Sequence, residues 1–280
     1  MSASYTGVVK TAQEYYNSDD ADNFYFHIWG GEDIHVGIYK DDKESIGTAS
    51  ERTVATMANT LDSSFTPDSR VVDLGAGYGG AARWLSQKYG CHVSCVNLSE
   101  AQNVRNREIS KKSGLADKID VIDGSFENLD FADNSMDIAW SQDSILHSGK
   151  RSQVLEEVDR VLKPGGQFIF TDPMQADDCP EGVLQPVLDR IHLQSLGSFA
   201  FYRSVAKDLN WEELSVTDMT PQLVNHYTRV RQELISRREE LQEHVSAEYI
   251  ERMAQGLTHW IEAGKKGYLS WGIMCFQTAS

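Results

Sequence analysis

The sequence predicts an α/β fold in which a doubly wound, mostly parallel sheet carries a helical N-terminal lid and a helical cap inserted after the fifth strand. Apolar β-type runs alternate with helical patterns between residues 70 and 171, and regular alternation of this kind implies a parallel sheet. A glycine cluster follows the first of these runs, and a helix-rich stretch replaces the alternation after Asp172. Ligands of such folds bind at the carboxyl ends of the strands.

The elements of the core can be assigned in order. Strands are predicted at 70–74, 92–96, 119–122, 136–140 and 167–171, with helices at 80–89, 99–113 and 152–162. Ser99 is a suitable N-cap for the second helix, because its hydroxyl can accept a hydrogen bond from an amide of the first turn. The Lys-Pro-Gly-Gly stretch at 163–166 predicts a turn.

Three domains are predicted: an aromatic lid at 1–50, a core at 51–173, and a segment of cap helices and last strands at 174–280. The lid is rich in aromatic residues, which either pack on the core or form pocket walls, and a helix is predicted at 45–61. In the last segment we expect helices at 182–196, 221–244 and 247–262, a sixth strand at 211–218 and a final buried strand at 268–276.

Composition excludes several classes of partner. The 280-residue chain has a formal charge of −16, which argues against nucleic acid or an anionic membrane as a partner. Its four cysteines lack a metal-ligand spacing, so we expect no metal and reduced thiols. No apolar run is long enough to cross a bilayer, and residues 1–10 lack a signal-peptide pattern. We therefore expect a soluble, cytoplasmic monomer or homodimer.

The glycine turn after the first strand is the first candidate site. It reads Asp73-Leu74-Gly75-Ala76-Gly77-Tyr78-Gly79. Gly75 and Gly77 can adopt positive φ and allow a nucleotide-like ligand to approach the main chain. The spacing also fits a dinucleotide-binding turn. Asp73 favours a different ligand, because a carboxylate there can hold the cationic amino group of a methionine tail but would repel a pyrophosphate.

Polar residues also follow strands two and three. Asn97-Leu98 ends strand two, where the Asn97 amide oxygen can accept one ribose hydrogen bond, or the residue can cap the next helix. Strand three ends in Asp123-Gly124-Ser125-Phe126. The Asp123 carboxylate can accept a hydrogen bond from an adenine amino group, and Phe126 can bound the ring.

Strand four leads into a polar run at the same edge of the predicted sheet. The run reads Ser141-Gln142-Asp143-Ser144-Ile145-Leu146-His147. Because it lies just past a strand end, we expect Asp143 and His147 to line a pocket near the transferred group.

These motifs resemble those of class I S-adenosylmethionine-dependent methyltransferases, whose sheet is Rossmann-like. The resemblance covers about residues 50–172 through the glycine turn, Asp123 to Ser125, Asp137 to Trp140 and the stretch 162–166. More narrowly, the stretch from Asn23 to His35 and the run from Ser141 to His147 look like those of sarcosine/dimethylglycine N-methyltransferases. Those enzymes make glycine betaine, a compatible solute that acts as an osmoprotectant, by successive methylation.

The resemblance implies S-adenosylmethionine as the cofactor and S-adenosylhomocysteine as its product. It also assigns cofactor contacts to residues at the strand ends. They are Asp73, Gly75, Gly77, Asn97, Leu98, Asp123, Gly124, Ser125, Phe126 and Ser141. Asn97 departs from the family pattern, which has an acid at this position more often.

The resemblance also implies a chemical task for the polar run. Sarcosine and dimethylglycine are mostly ammonium zwitterions near neutral pH, so a proton must leave before the nitrogen can attack. His147 or Asp143 could accept that proton or orient the acceptor. Gln142 and the residues up to His147 are expected to face the methyl acceptor.

Other residues are expected to bind the acceptor's charged groups. Aromatic faces of Tyr25, Trp29 and Trp140 can stabilise the positive charge that grows on nitrogen. The acceptor's carboxylate needs a cationic or multi-donor partner, and Arg203 is the first choice.

Three other functions stay open. A phosphoethanolamine-type or other small-molecule methyltransferase would use the same cofactor, although a phosphate would favour more basic residues near the strand ends. A nicotinamide-dependent oxidoreductase is disfavoured by Asp73 and by the lack of an acid at Asn97. A non-catalytic adenosyl-binding protein is disfavoured by the polar run after strand four.

Overall fold

The computed structural model describes residues 7–29, 31–61, 64–191 and 193–280. Its strands are β1 (Arg70–Leu74), β2 (His92–Asn97), β3 (Ile119–Asp123), β4 (Met136–Gln142), β5 (Leu162–Thr171), β6 (Met174–Gln175), β7 (Glu212–Asp218), β8 (Leu269–Ser270) and β9 (Gly272–Gln277). Its helices are α1 (Gly7–Tyr16), α2 (Asp19–Phe24), α3 (Ile46–Thr60), α4 (Gly80–Tyr89), α5 (Glu100–Lys112), α6 (Arg151–Val161), α7 (Gln185–Arg190), α8 (Phe199–Asp208), α9 (Thr220–Ser236), α10 (Arg238–Leu241) and α11 (Ala247–Lys265).

Within the described residues, seven strands form one sheet in the order β3-β2-β1-β4-β5-β9-β7. The first five strands are parallel, and β9 runs antiparallel to both β5 and β7. Strand β1 pairs with β2 on one side and β4 on the other, so the strand order reverses there and leaves a crevice at the carboxyl ends. The predicted Rossmann-like fold is confirmed.

Four predicted elements differ from the observed ones. The 163–166 stretch, predicted as a turn, lies within β5 as an irregularity of the strand: Leu162 pairs with Met136 and Gln167 with Ile138, and Gly165 between them has a φ of +74°. The helix predicted at 182–196 shortens to α7, with a proline in its first turn. The helix predicted at 221–244 ends at Ser236, and the predicted last strand is divided into β8 and β9.

The lid and the cap share one apolar core. Phe24, Tyr25 and Trp29 are buried in the same cluster as Val230 of α9 and Leu257 of α11. Residues 25–29 form a π-helical turn that continues α2. Two other clusters fill the faces of the sheet, one beneath α6 and α8 and the other beneath α3 and α4.

The division into 1–50, 51–173 and 174–280 remains a prediction, and residues 1–6 of the lid lie outside the described residues. None of the helices in the described residues has the length and apolar character needed to span a membrane. Across the same residues, no group of three or more His, Cys, Asp or Glu side chains is arranged to hold a metal ion.

Candidate active site

A cleft with an empty volume of about 660 Å³ lies at the carboxyl ends of β1 to β4. We call it the main cleft. Its walls are the loops that follow these four strands, with the lid covering one side. They include Gly75, Gly77, Asn97, Leu98, Ser99, Gln102, Ser125, Phe126, Glu127, Gln142, Asp143, Ser144, His147 and Ser148, together with Tyr16 and Ile34 of the lid.

The glycine turn forms the floor of the main cleft. Gly75 and Gly77 have φ values of +76° and +54°, a conformation that side chains other than glycine adopt at a cost. A Cβ at Gly75 would lie 2.3 Å from Cβ of Ser144, and one at Gly77 would lie 3.2 Å from Ile34. These two positions therefore require glycine both for their backbone conformation and for the close packing above it.

Asp73 is buried below this floor, beside a smaller cavity of about 290 Å³. Burial raises the pKa of its carboxyl to about 7, a shift that His35 opposes and Asp33 reinforces. The Gln142 side chain lines both this cavity and the main cleft, and its Nε2 is buried with no hydrogen-bond partner among the described residues. A carboxylate and an amide donor are thus available to an amino-acid group.

Asn97 lies at the end of β2 and faces the middle of the main cleft. Its amide nitrogen donates to Oε1 of Gln102 at 3.0 Å and to Oδ1 of Asn103 at 3.2 Å, so these bonds fix the side chain. Nε2 of Gln102 is buried and lacks a hydrogen-bond partner within the described part of the chain. The oxygen of Asn97 and this nitrogen form an acceptor and a donor that suit ribose hydroxyls.

Three predicted cofactor-binding residues lie behind the wall of the main cleft and do not line it: Asp123, Gly124 and Ser141. The Asp123 carboxylate accepts hydrogen bonds from Asn103 at 2.7 Å and Arg107 at 2.6 Å, and these contacts hold its pKa below the usual range despite partial burial. Gly124 donates its amide to the carbonyl of Asn97, and Ser141 is fully buried.

A second cavity of about 400 Å³, the aromatic chamber, adjoins the main cleft. Tyr16, Ile34, Asp143 and His147 line both spaces. Most of the chamber's other walls come from the lid and the cap, which are distant in sequence, and Leu146 and Pro173 come from the core. They include Tyr25, Trp29, His35, Leu146, Pro173, Arg190, Tyr227 and Trp260.

Asp143 stands where the two spaces meet and has a φ of +52°. Its carboxylate accepts a hydrogen bond from the amide of Val36 at 2.6 Å and from Nε1 of Trp271 at 2.8 Å. Burial raises the pKa of this carboxyl, although His35 and the two donors oppose the shift. Asp143 therefore joins the lid to the final strand region and presents a buried carboxylate at the junction.

His147 lies on a short 3-10 turn at 145–147. Its Nε2 is 2.8 Å from the hydroxyl of Tyr16. Burial, with Arg151 and Arg190, lowers the pKa of His147 to about 4, so the imidazole is neutral near pH 7. The turn is held by Asp172, whose carboxylate accepts from the amide of Leu146 at 2.9 Å and from the hydroxyl of Tyr202 at 2.6 Å.

Two predicted acceptor-binding residues lie elsewhere. Arg203 is half exposed on α8 and pairs with Glu213 at 2.8 Å, so it is not at either cavity. Trp140 is fully buried in the sheet, where its Nε1 donates to Gln142 at 2.9 Å. Neither Arg203 nor Trp140 lines the main cleft or the aromatic chamber, whereas Tyr25, Trp29 and Gln142 do.

Arg190 lies at the chamber instead of Arg203. It is the last residue of α7, and its guanidinium carbon lies 5.9 Å from the ring of Trp29 and 5.8 Å from that of Tyr227. The sequence around Arg190 contains no motif that distinguishes it from the other cap arginines. Only the packing of α7 against the lid and cap identifies it.

Comparisons with known proteins point to one group. A methyltransferase-domain family matches residues 72–170. The chain is 58% identical to a sarcosine/dimethylglycine N-methyltransferase of Halorhodospira halochloris over 96% of each sequence. It is 56% identical to one of Aphanothece halophytica, over 96% of this chain and 97% of that protein.

A solved structure from Galdieria sulphuraria, which has a provisional assignment as a sarcosine dimethylglycine methyltransferase, superposes with a TM-score of 0.89. It is 46% identical to this chain and the match covers 95% of this chain and 99% of that one.

Proposed function

The chain belongs to the family of sarcosine/dimethylglycine N-methyltransferases, and we propose that it methylates sarcosine and dimethylglycine on nitrogen to give glycine betaine. The cofactor is S-adenosylmethionine, as in this class of enzymes. High identity over nearly the whole length of two relatives supports the substrate assignment, because acceptor-binding segments of the lid and the cap are included in the match.

The residues present in the main cleft fit the cofactor. Gln102 and Gln142 line it, and each has a buried amide nitrogen with no hydrogen-bond partner among the residues that the structure describes. We assign the methionine end to Asp73 and the glycine floor, the ribose to Asn97, and the adenine to Ser125 and Phe126 with Leu98 nearby. When bound, S-adenosylmethionine supplies an electrophilic methyl group on a sulfonium sulfur.

The observation that carries the acceptor assignment is the position of Arg190 in a chamber walled by aromatic rings. A guanidinium can bind a carboxylate through two parallel hydrogen bonds. The rings of Tyr25, Trp29 and Tyr227 can attract a methylated ammonium by about 0.5 to 2 kcal/mol each. The chamber thus offers complementary partners for the two ends of a small N-methyl amino acid.

Asp143 and His147 occupy the boundary between the chamber and the main cleft. We propose that the Asp143 carboxylate takes the proton from the acceptor's ammonium, since burial raises its pKa and makes it a better base than an exposed aspartate. The neutral imidazole of His147, fixed by Tyr16, orients the nitrogen. The surrounding aromatic rings exclude water, so the chain's main task is alignment.

The chamber does not favour the phosphoethanolamine alternative. Among the described residues that line it, the basic groups are Arg190, His35 and His147, and His147 is neutral near pH 7. A doubly charged phosphate would be paired with fewer cations than it needs, next to the carboxylate of Asp143.

Product analysis tests the proposal. The purified protein is incubated with S-adenosylmethionine and, separately, glycine, sarcosine, dimethylglycine and phosphoethanolamine, and products are identified by mass spectrometry. We expect betaine from both sarcosine and dimethylglycine. Methylated phosphoethanolamine, or turnover with none of the four, would contradict the substrate assignment.

We propose the cytoplasm as the compartment and a monomer or homodimer as the assembly, with neither nucleic acid nor membrane as a partner. The four cysteines are free thiols, which suits a reducing compartment. The charge of −16 disfavours anionic polymers and surfaces. Light scattering coupled to size exclusion would measure the assembly, and a trimer or larger species would contradict it.

A further inference from the structure

Gly256 lies in the interior of α11, where glycine is an unfavourable residue. Glycine destabilises a helix interior relative to alanine because the unfolded chain has more conformational freedom. Gly256 is buried, and its φ is not in the left-handed region that would require glycine. A reason other than backbone conformation must therefore account for it.

The side chain of Arg190 occupies the space that a Cβ on Gly256 would fill. Such a Cβ would lie 2.5 Å from Cδ, 2.9 Å from Cγ and 3.2 Å from Nε of Arg190. The aliphatic stem of Arg190 thus lies directly against the backbone of α11. Beyond this contact the guanidinium reaches the rings of Trp29 and Tyr227, whose centroids lie 5.9 and 5.8 Å from its carbon.

An alternative position for the Arg190 side chain is available. Arg190 also lines an open cleft between α7 and α11, here called the outer cleft, with an empty volume of about 930 Å³. Exposed residues of the two helices, including Gln185, Arg252 and Gln255, form its walls. A side chain of Arg190 that is pushed off Gly256 therefore has open space beside it into which it can move.

We propose that Gly256 is a positioning residue that seats Arg190 for binding the acceptor's carboxylate. This inference rests on the proposed function, since it requires a carboxylate-bearing acceptor in the aromatic chamber. The Gly256→Ala substitution places a methyl group in the space that the stem of Arg190 occupies. It therefore displaces the guanidinium while leaving its charge in the protein.

Gly264 supplies a matched control in the same helix. A Cβ there would lie 2.6 Å from Cγ2 of Val224, a contact between α11 and α9. Gly264→Ala therefore disturbs helix packing in a comparable way but does not touch Arg190. Gln255→Ala, at an exposed neighbouring position, controls for the added helix propensity.

The experiment compares the full-length wild type, Gly256→Ala, Gly264→Ala, Gln255→Ala, Arg190→Met and the double variant Gly256→Ala/Arg190→Met. For each, we measure kcat and KM for dimethylglycine, the Kd for S-adenosylhomocysteine by calorimetry, and the melting temperature. For Gly256→Ala we expect the dimethylglycine KM to rise about tenfold, as for loss of a charge-assisted hydrogen bond. The Kd should stay at the wild-type value, and any fall in the melting temperature should not exceed that of Gly264→Ala.

The double variant shows whether Gly256→Ala changes KM through Arg190 or by a separate route. If Gly256 acts by seating Arg190, adding Gly256→Ala to Arg190→Met changes KM no further. An unchanged KM in Gly256→Ala, an additive effect in the double variant, or a parallel loss of cofactor affinity and stability would overturn the inference. A wild type that makes no betaine would instead overturn the proposed function, and this inference with it.

Discussion

The main cleft and the aromatic chamber adjoin each other but are built from different parts of the chain. Loops that directly follow β1 to β4 form most of the main cleft. The chamber takes its walls from the π-helical turn of the lid, the end of α7, and the helices α9 and α11. Residues as far apart as Trp29 and Trp260 face the same space.

The two regions differ in what determines the position of their residues: strand order in the main cleft, and the packing of lid and cap in the chamber. Parallel strands end at one edge, so polar residues after each strand meet there whatever the rest of the chain does. The chamber instead depends on how the lid and the cap bury their aromatic residues in a common core. Cofactor binding and acceptor recognition should therefore respond to different substitutions, except at the residues that line both spaces.

The largest expected effect comes from Asp143, which both regions share. Asp143→Ala removes the proposed proton acceptor and leaves the amide of Val36 and Nε1 of Trp271 without their carboxylate. We expect kcat/KM for dimethylglycine to fall by about 100-fold or more and the free energy of unfolding to fall by about 1 to 3 kcal/mol, the cost of leaving a buried donor unpaired. Steady-state kinetics and denaturant unfolding measure the two quantities. Activity within tenfold of wild type would rule out Asp143 as the base.

Arg190 tests the chamber alone. Arg190→Met should raise KM for sarcosine and dimethylglycine by about 10- to 100-fold, through loss of a charge-assisted pair. The affinity for S-adenosylhomocysteine should change little. Arg203→Met is the matched control, since Arg203 pairs with Glu213 at the surface. Equal KM effects from the two substitutions would remove Arg190 from the acceptor site.

Asp73 tests the main cleft alone. Asp73→Ala should weaken S-adenosylmethionine binding by about 1 to 3 kcal/mol, the cost of a lost charge-assisted hydrogen bond. Asp123→Ala should have a smaller effect, because Asn103 and Arg107 already engage that carboxylate. Calorimetric titration of both variants with S-adenosylmethionine measures the two losses of affinity. Wild-type affinity in both would contradict the cofactor assignment.

The smallest expected effect is a pH dependence of cofactor affinity. The pKa of Asp73 is raised to about 7 without ligand, so the carboxyl must lose a proton below that pH before it can pair with the ammonium group. Affinity for S-adenosylhomocysteine should therefore rise about tenfold from pH 6 to pH 8 and level off above. Asp73→Asn should abolish the slope. If the affinity of Asp73→Asn still rises with pH, a group other than Asp73 is responsible for the titration.

Much of the main cleft could be predicted from the sequence. Gly75, Gly77, Asn97, Leu98, Ser125 and Phe126 all lie on its wall, because each lies at the end of a strand of the parallel sheet or within three residues after it. Asp123 and Ser141 follow the same rule in position, yet their side chains turn toward Asn103 with Arg107 and toward Leu74. Strand order predicts where a residue lies but not which neighbour its side chain contacts.

The chamber could be predicted only in part. Tyr25 and Trp29 belong to a recognisable motif, and both line it. The sequence favours Arg203, but it contains nothing that distinguishes Arg190 from the other arginines of the cap. Arg203 finds Glu213 on the neighbouring strand β7, whereas Arg190 is placed in the chamber by the close approach of α7 to Gly256. The contact between Arg190 and Gly256 joins segments more than sixty residues apart and leaves no local signal.

The most direct test of this account is a crystal structure of the protein with S-adenosylhomocysteine and dimethylglycine bound. We predict the acceptor's carboxylate on the guanidinium of Arg190, its nitrogen beside Asp143 and His147, and the adenine next to Phe126. A carboxylate bound outside the aromatic chamber, or a cofactor that does not contact the glycine turn, would contradict the division into two sites.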